Sequence, residues 1–292
     1  MKVVLFCGGL GTRLKEYSET MPKPMVDIGF RPIMWHLMRY YAHFGHKDFI
    51  LCLGYRGDVI KNYFLNYNEC YSNNFTLTNG GKDIQLHSRD IEDWTITFVD
   101  TGLNSNIGMR LKAVQPYLEG EEVFMANYTD GLADLYLPDY IEHFCRHNKI
   151  ASFVSVLPSQ SFHIVSAEED GLVSSIAPVA RSEMWINGGF FLLRNNIFDY
   201  MYPGEELVQE PFYRLIEQQQ LVTYRHHGFW ACMDTYKEKK MFDEMYERGN
   251  TPWAVWENTL GNRLSTDRSL PGWTSERYVP TANGFHQAVG SA

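Results

Sequence analysis

The chain opens on four consecutive apolar residues, Val3-Val4-Leu5-Phe6, and runs straight into glycines. A short continuous apolar run closed by turn residues predicts a strand buried on both faces. Comparable runs recur at residues 48–53, 95–99, 122–126 and 150–156. Between them the spacing predicts helices over residues 32–44, 56–65, 110–118 and 137–148. The first of these has a proline near its first turn and Gly45 as its stop. Strand and helix in alternation predict an α/β fold, a mostly parallel sheet covered by helices on both faces.

Two stretches break that rhythm. Residues 68–93 are polar and aromatic, with short alternating pieces around Gly80-Gly81, and read as an insertion of about residues 66–93 carrying a hairpin. From Ser161 the pattern turns to short strands (163–167, 172–176, 188–193), forming a small β-rich region. A helix over 210–219, a strand over 221–224 and a helix over 236–248 follow. The expected organisation is one domain over residues 1–257 and a polar tail over 258–292, read as loosely ordered or as an oligomer contact.

Composition narrows the partners. Of 292 residues, 45% are hydrophobic and 15% aromatic, ample for a core. Net charge is −9, from 26 basic and 35 acidic residues. That balance disfavours a nucleic-acid partner, which needs a basic face, yet leaves room for a small phosphorylated ligand held by a few cations. The five cysteines form no CxxC pair and the ten histidines show no metal-site spacing. Cys7, Cys52 and Cys232 sit in apolar runs and read as core residues. The sequence enters a strand at once and contains no apolar stretch of membrane-spanning length, so a cytoplasmic protein without a membrane partner is expected.

The candidate chemistry begins where the first strand ends. Gly8, Gly9 and Gly11 let backbone N–H groups approach an anion. Thr12 adds a hydroxyl, Arg13 a forked cation, and Lys23 a point charge between Pro22 and Pro24. This inventory suits a nucleoside triphosphate. It lacks the Gly-Lys-Ser/Thr ending of a Walker loop, and Leu14 stands where a dinucleotide fingerprint read from Gly9 needs its last glycine. A nicotinamide-dependent oxidoreductase is thereby demoted. Triphosphate chemistry calls for a divalent cation, and Mg²⁺ takes one or two carboxylates plus phosphate oxygens. Asp130, just past the strand at 122–126, and Asp234, after the apolar run 229–233, are the candidates. An Asp-Gly turn at Asp130 and a helix N-cap at Asp234 are the plainer alternatives. Spacing alone does not make them a pair.

These segments together resemble the sugar-phosphate nucleotidyltransferases, most closely the glucose-1-phosphate cytidylyltransferase branch. The resemblance rests on Gly8-Gly9-Leu10-Gly11-Thr12-Arg13-Leu14, Pro22-Lys23-Pro24 and residues 54–64. Further matches are Asp100-Thr101-Gly102, Gly108-Met109-Arg110, Asn187-Gly188-Gly189-Phe190-Phe191, Glu210-Pro211, residues 224–230 and Met233-Asp234-Thr235. It extends to Thr251-Pro252-Trp253, covering roughly residues 1–257. It implies a Rossmann-like nucleotidyltransferase core, Mg²⁺ dependence and a homo-oligomer. The implied reaction joins CTP to a phosphorylated acceptor, giving a CDP-linked product and pyrophosphate. By position, Gly8, Gly9 and Gly11 approach the nucleotide, Arg13 neutralises the leaving pyrophosphate and Lys23 bridges the reacting phosphates. Asp130 and Asp234 become metal ligands, Arg110 a nucleotide or phosphate contact, and Asn187 faces the acceptor.

One departure concerns that acceptor. The family carries a Glu-Lys-Pro motif about ten residues before the Asn-Gly-Gly segment, and here Ala177 precedes Pro178 in the lysine's place. Arg181 is the candidate replacement cation, and an arginine in a new position implies a changed acceptor or pose. A non-glucose phosphate or phosphonate acceptor is therefore one alternative, and a nucleotide-binding regulator without turnover is another.

Overall fold

The computed structural model describes residues 1–9, 21–158, 162–179 and 184–257. Expectations for Gly11, Thr12, Arg13, Arg181 and the tail 258–292 lie outside the described residues. The central sheet is built from β1 (Val3–Phe6), β2 (Asp48–Leu53), β3 (Thr95–Asp100), β4 (Val123–Tyr128), β5 (Ala151–Val156), β6 (Ile186–Asn187), β7 (Phe191–Arg194) and β8 (Leu221–His226). Parallel pairing joins β3, β2, β1 and β4 in that spatial order. Next comes β7, antiparallel to both β4 and β5, and β8 closes the edge parallel to β5. The two-residue β6 lies on the same edge of β5 as β7, so β6 and β7 are one strand interrupted at Gly188–Phe190. The result is a mixed, mostly parallel α/β sheet.

Alternation along each strand sends apolar residues to both faces, as a doubly covered sheet requires. In β1, Val3 and Leu5 enter one core with Phe49, Leu51 and Met125, while Val4 and Phe6 enter the other with Ile50 and Phe124. Helices α1 (Ile33–His43), α2 (Gly57–Leu65) and α4 (Leu137–His147) cover the first face. The second is covered by α3 (Ile107–Val114) and α5 (Glu210–Glu217). Helix α6 (Tyr236–Glu247) joins the first core through Phe242, against which the fully buried Trp253 packs.

Element boundaries moved where tertiary pairing or capping decided them. The third helix starts at Ile107 rather than Arg110, because the Asn106 side chain accepts the Met109 N–H (2.8 Å) and caps it. The last strand runs on to His226 because every residue of it pairs with β5. The insertion carries the expected hairpin, Phe75–Thr78 against Asp83–Leu86. A second hairpin, His163–Ala167 with Val173–Pro178, contains Ala177 opposite Ile164. Two short ribbons had no counterpart in the sequence pattern, Asp27–Ile28 with Arg31–Pro32 and Gly131–Ala133 with Trp230–Cys232.

Candidate active site

The neighbouring parallel strands β3, β2, β1 and β4 all end at one edge of the sheet, and the expected chemistry gathers there. Gly8 follows β1, and Asp130 follows its neighbour β4. The Thr129 hydroxyl donates to the Phe6 carbonyl (2.9 Å) and ties the two strand ends together.

The ribbon brings in the second acid. Cys232 pairs with Gly131, and the Met233 N–H donates to the Asp130 carbonyl (2.8 Å). Asp130 enters the ribbon and Asp234 leaves it at the same end. The plain N-cap reading of Asp234 does not hold. Thr235 caps α6, and the Glu238 carboxylate accepts the N–H groups of Thr235 and Asp234 (both 2.8 Å). The Asp234 carboxylate is thereby left to face the site.

Lys23 lies between the two acids. Its Nζ stands 2.5 Å from Asp130 Oδ2 and 2.5 Å from Asp234 Oδ1. Prolines fix φ on either side of it. A single 3₁₀ turn over Lys23–Met25 holds the backbone, with Met25 N–H donating to the Pro22 carbonyl (2.8 Å). Burial by itself would lower the pKa of this ammonium, but the charges and hydrogen bonds of Asp130 and Asp234 outweigh it and the net shift is upward. Side-chain exposures of 14%, 30% and 26% for Lys23, Asp130 and Asp234 leave the cluster half-buried among the described residues. Two hard carboxylates converging on one cation are a donor set that suits Mg²⁺, which completes its shell with phosphate oxygens and water. Among the described residues no group of three or more His, Cys, Asp or Glu side chains forms a closed metal site.

Arg110, expected to touch nucleotide or phosphate, lies beneath the glycine turn and is buried. Its guanidinium donates to the carbonyls of Gly8 (2.9 Å), Leu53 (3.1 Å) and Gly102 (3.0 Å) and to the Thr101 hydroxyl (2.7 Å). These are the loops after β1, β2 and β3. In this arrangement its partners are the backbone and the Thr101 hydroxyl rather than open space at the edge of the sheet. Gly8 and Gly54 permit the approach, since a Cβ on Gly54 would meet the Gly8 backbone at 2.9 Å. Gly9 is exposed, and among the described residues nothing lies within 4 Å of a Cβ built on it.

Asn187 sits at the break between β6 and β7. Its Oδ1 accepts the Gly189 N–H (2.9 Å), and its Nδ2 donates to the Tyr128 hydroxyl (3.4 Å). Gly189 (φ +79°) could not carry a side chain, because a Cβ would fall 2.4 Å from Asn127 Oδ1. That same Oδ1 accepts the Phe190 N–H (2.9 Å), so Asn127 shapes the turn. Sequence reasoning missed Asn127 and Tyr128. Both follow directly on the predicted strand 122–126 and belong to the observed one, Val123–Tyr128, so position alone was the signal.

A glycine turn, a lysine and two carboxylates at the carboxyl edge of a doubly covered sheet define a phosphate-handling α/β enzyme. The chain belongs to the nucleotidyl transferase family, whose model matches residues 2–235. It is 39% identical over 259 residues to the glucose-1-phosphate cytidylyltransferase of Salmonella typhi, covering 88% of this chain and all of that one. A probable glucose-1-phosphate cytidylyltransferase of Bacillus subtilis is 37% identical over 258 residues, again 88% of this chain and all of the relative. Among solved structures, a UDP-glucose pyrophosphorylase complexed with UDP-glucose superposes with a TM-score of 0.63 at 15% identity, covering 85% of this chain and 98% of that one. HddC from Yersinia pseudotuberculosis gives 0.59 at 21% identity, over 84% and 99%. These last two likenesses show the fold.

Proposed function

We propose that this nucleotidyltransferase transfers CMP from CTP to a phosphorylated sugar, glucose 1-phosphate or a relative, and releases pyrophosphate. The observation that carries the proposal is the meeting of Lys23, Asp130 and Asp234, from three distant parts of the chain, beside the glycine turn. The base preference rests on the two cytidylyltransferase relatives. An oxygen of the acceptor phosphate attacks the α-phosphorus in line; the new O–P bond forms as the bond to the bridging oxygen of pyrophosphate breaks. The nucleophile is already anionic, so positioning and charge neutralisation supply the rate.

Asp130 and Asp234 would hold Mg²⁺, which when bound neutralises the phosphate oxygens and the departing pyrophosphate. Lys23 supplies a fixed positive charge to the same oxygens. Gly8 and Gly9 present backbone N–H groups without side chains in the way, and Arg110 fixes the loop that carries them. Asn187 faces the acceptor. Ala177, where the family carries a lysine, supports an acceptor other than glucose 1-phosphate.

A homo-oligomer and a cytoplasmic setting belong to the same proposal. Exposed apolar side chains on the two hairpins (Leu77, Ile84, Val173, Ile176) support the former. None of the described helices is long and apolar enough to cross a membrane. The deciding experiment is pyrophosphate release with Mg²⁺, each nucleoside triphosphate in turn and a panel of sugar 1-phosphates. Release with CTP supports the reading. CTP binding without release from any acceptor would favour a nucleotide-binding regulator, and release confined to another nucleotide would overturn the base assignment.

A further inference from the structure

The ribbon of Gly131–Ala133 and Trp230–Cys232, which brings the two acids together, also reaches the acceptor side through one side chain. Trp230 opens its second strand and pairs with Ala133. The indole Nε1–H leaves the ribbon and donates to the Gly188 carbonyl (2.9 Å). Gly188 directly follows Asn187, in the break between β6 and β7. Phe191 pairs with Ala126 of β4, so this break stands beside the end of that strand. There the Asn187 amide donates to the Tyr128 hydroxyl (3.4 Å), two residues before Asp130. The half-buried indole therefore joins the ribbon of the acids to the turn that carries Asn187.

The two ends depend on the indole unequally. The ribbon is closed by its own backbone, with Asp134 N–H donating to the Phe229 carbonyl (3.1 Å) and Met233 N–H to the Asp130 carbonyl (2.8 Å). An interrupted strand instead leaves backbone groups that the sheet does not pair, and each needs another partner. Asn127 accepts the Phe190 N–H, Asn187 accepts the Gly189 N–H, and Trp230 donates to the Gly188 carbonyl. Of these three bonds, the one from Trp230 runs to the ribbon. Resting on the proposed transfer to a sugar phosphate faced by Asn187, we infer that Trp230 is a positioning residue. Its N–H holds the Asn187–Gly188 turn at a set distance from Asp130 and Asp234, and so aligns the acceptor phosphate with the α-phosphorus. In-line transfer depends steeply on such placement, a misplacement of about 1 Å costing about 10²-fold.

The test uses the full chain, Trp230→Phe, Asn187→Ala and the double variant, with CTP, Mg²⁺ and the best sugar 1-phosphate of the panel. Trp230→Phe keeps an aromatic ring on the ribbon and removes the N–H. Its kcat/KM for the acceptor should fall about tenfold or more. Affinity for CTP and Mg²⁺, measured by calorimetry without acceptor, should change less than twofold, because the acids keep their backbone bonds. On the Asn187→Ala background the loss from Trp230→Phe should shrink to less than threefold, since both act through one turn. A merely structural role would weaken CTP binding as well and leave the two losses multiplicative. Unchanged kcat/KM, multiplicative losses, or a Trp230→Phe chain that no longer binds CTP or does not fold would each overturn the positioning role while leaving cytidylyl transfer standing. No turnover of the unaltered chain with any acceptor would overturn both.

Discussion

Gly8 packs against Arg110 so closely that a Cβ on the glycine would lie 2.1 Å from the guanidinium carbon. The contact is closed by the Arg110 bond to the Gly8 carbonyl (2.9 Å), which makes the turn and the arginine one unit. Gly8→Ala must push the guanidinium off the carbonyls it holds. Overpacking of this kind costs about 1–3 kcal/mol, so a lowered Tm and a reduced kcat/KM are expected together. Arg110→Ala leaves the carbonyls of Leu53 and Gly102 without this partner and should also destabilise. In a double-mutant cycle the cost of Gly8→Ala should shrink by about 0.5–3 kcal/mol once Arg110 is gone. Strict additivity in denaturant melts would mean the two are not coupled.

Lys23, Asp130 and Asp234 form one electrostatic unit, and each neutral replacement should lower turnover more than stability. Removing one group that stabilises developing charge typically costs about 2.7–4 kcal/mol of barrier. Lys23→Met, Asp130→Asn and Asp234→Asn are each expected to reduce kcat by about 10²–10³-fold. The two aspartate variants should in addition need more Mg²⁺ for half-maximal rate, whereas Lys23→Met should not. Full activity in any of the three, measured as pyrophosphate release, would remove that residue from the reaction centre.

His36 sets an acid limit on the fold. It is buried, with Nε2 donating to the Ile28 carbonyl (3.1 Å) and Nδ1 accepting the Trp253 Nε1–H (3.4 Å), an arrangement that requires the neutral ring. Burial pushes its pKa from 6.5 down to about 4. The unfolded chain binds this proton first, so the stability it contributes is present above pH 6.5 and is lost as pH falls from 6.5 towards 4. The shift corresponds to about 3 kcal/mol. His46, pushed down to about 3 by burial, acts in the same sense. Urea unfolding at pH 7 and pH 4.5 should show the decline, and His36→Gln should flatten part of it. An unchanged slope in that variant would assign the acid sensitivity elsewhere.

The insertion is fastened by a buried carboxylate. Asp90 accepts from the Tyr67 hydroxyl (2.7 Å), the Asn73 amide (2.7 Å) and the Ser72 hydroxyl, and lies 3.6 Å from Arg31. Side-chain exposures of 2% for Arg31 and 4% for Asp90 put this pair out of water. Removing one partner of such a pair costs about 3–5 kcal/mol, because the other charge stays buried alone. Asp90→Ala should therefore lower Tm and make residues 66–93 the first point of proteolytic cleavage. Unaltered proteolysis would mean the hairpin is held by something else.

The glycine turn, the prolines around Lys23 and the alternating strands and helices were legible because each is encoded locally. Val3 to Phe6 must be buried on both faces, and only a covered sheet does that. Arg110 entered only through the family resemblance, as a nucleotide or phosphate contact, whereas its partners are the carbonyls of Gly8, Leu53 and Gly102, which nothing near it in the chain announces. Asn127 and Tyr128 carried no local signal beyond standing at a strand end.

By itself, then, the order of residues determined the α/β layering, the position of the glycine turn and the two acids worth watching. Whether those acids meet was decided only in three dimensions. Lys23 and Asp234 are 211 residues apart. Asp234 reaches Asp130, and with it Lys23, because Gly131–Ala133 pairs with Trp230–Cys232, and such a pairing depends on non-local backbone hydrogen bonds rather than on the periodicity of either segment. Periodicity reports which face of an element is buried; it does not report which distant strand will lie beside it.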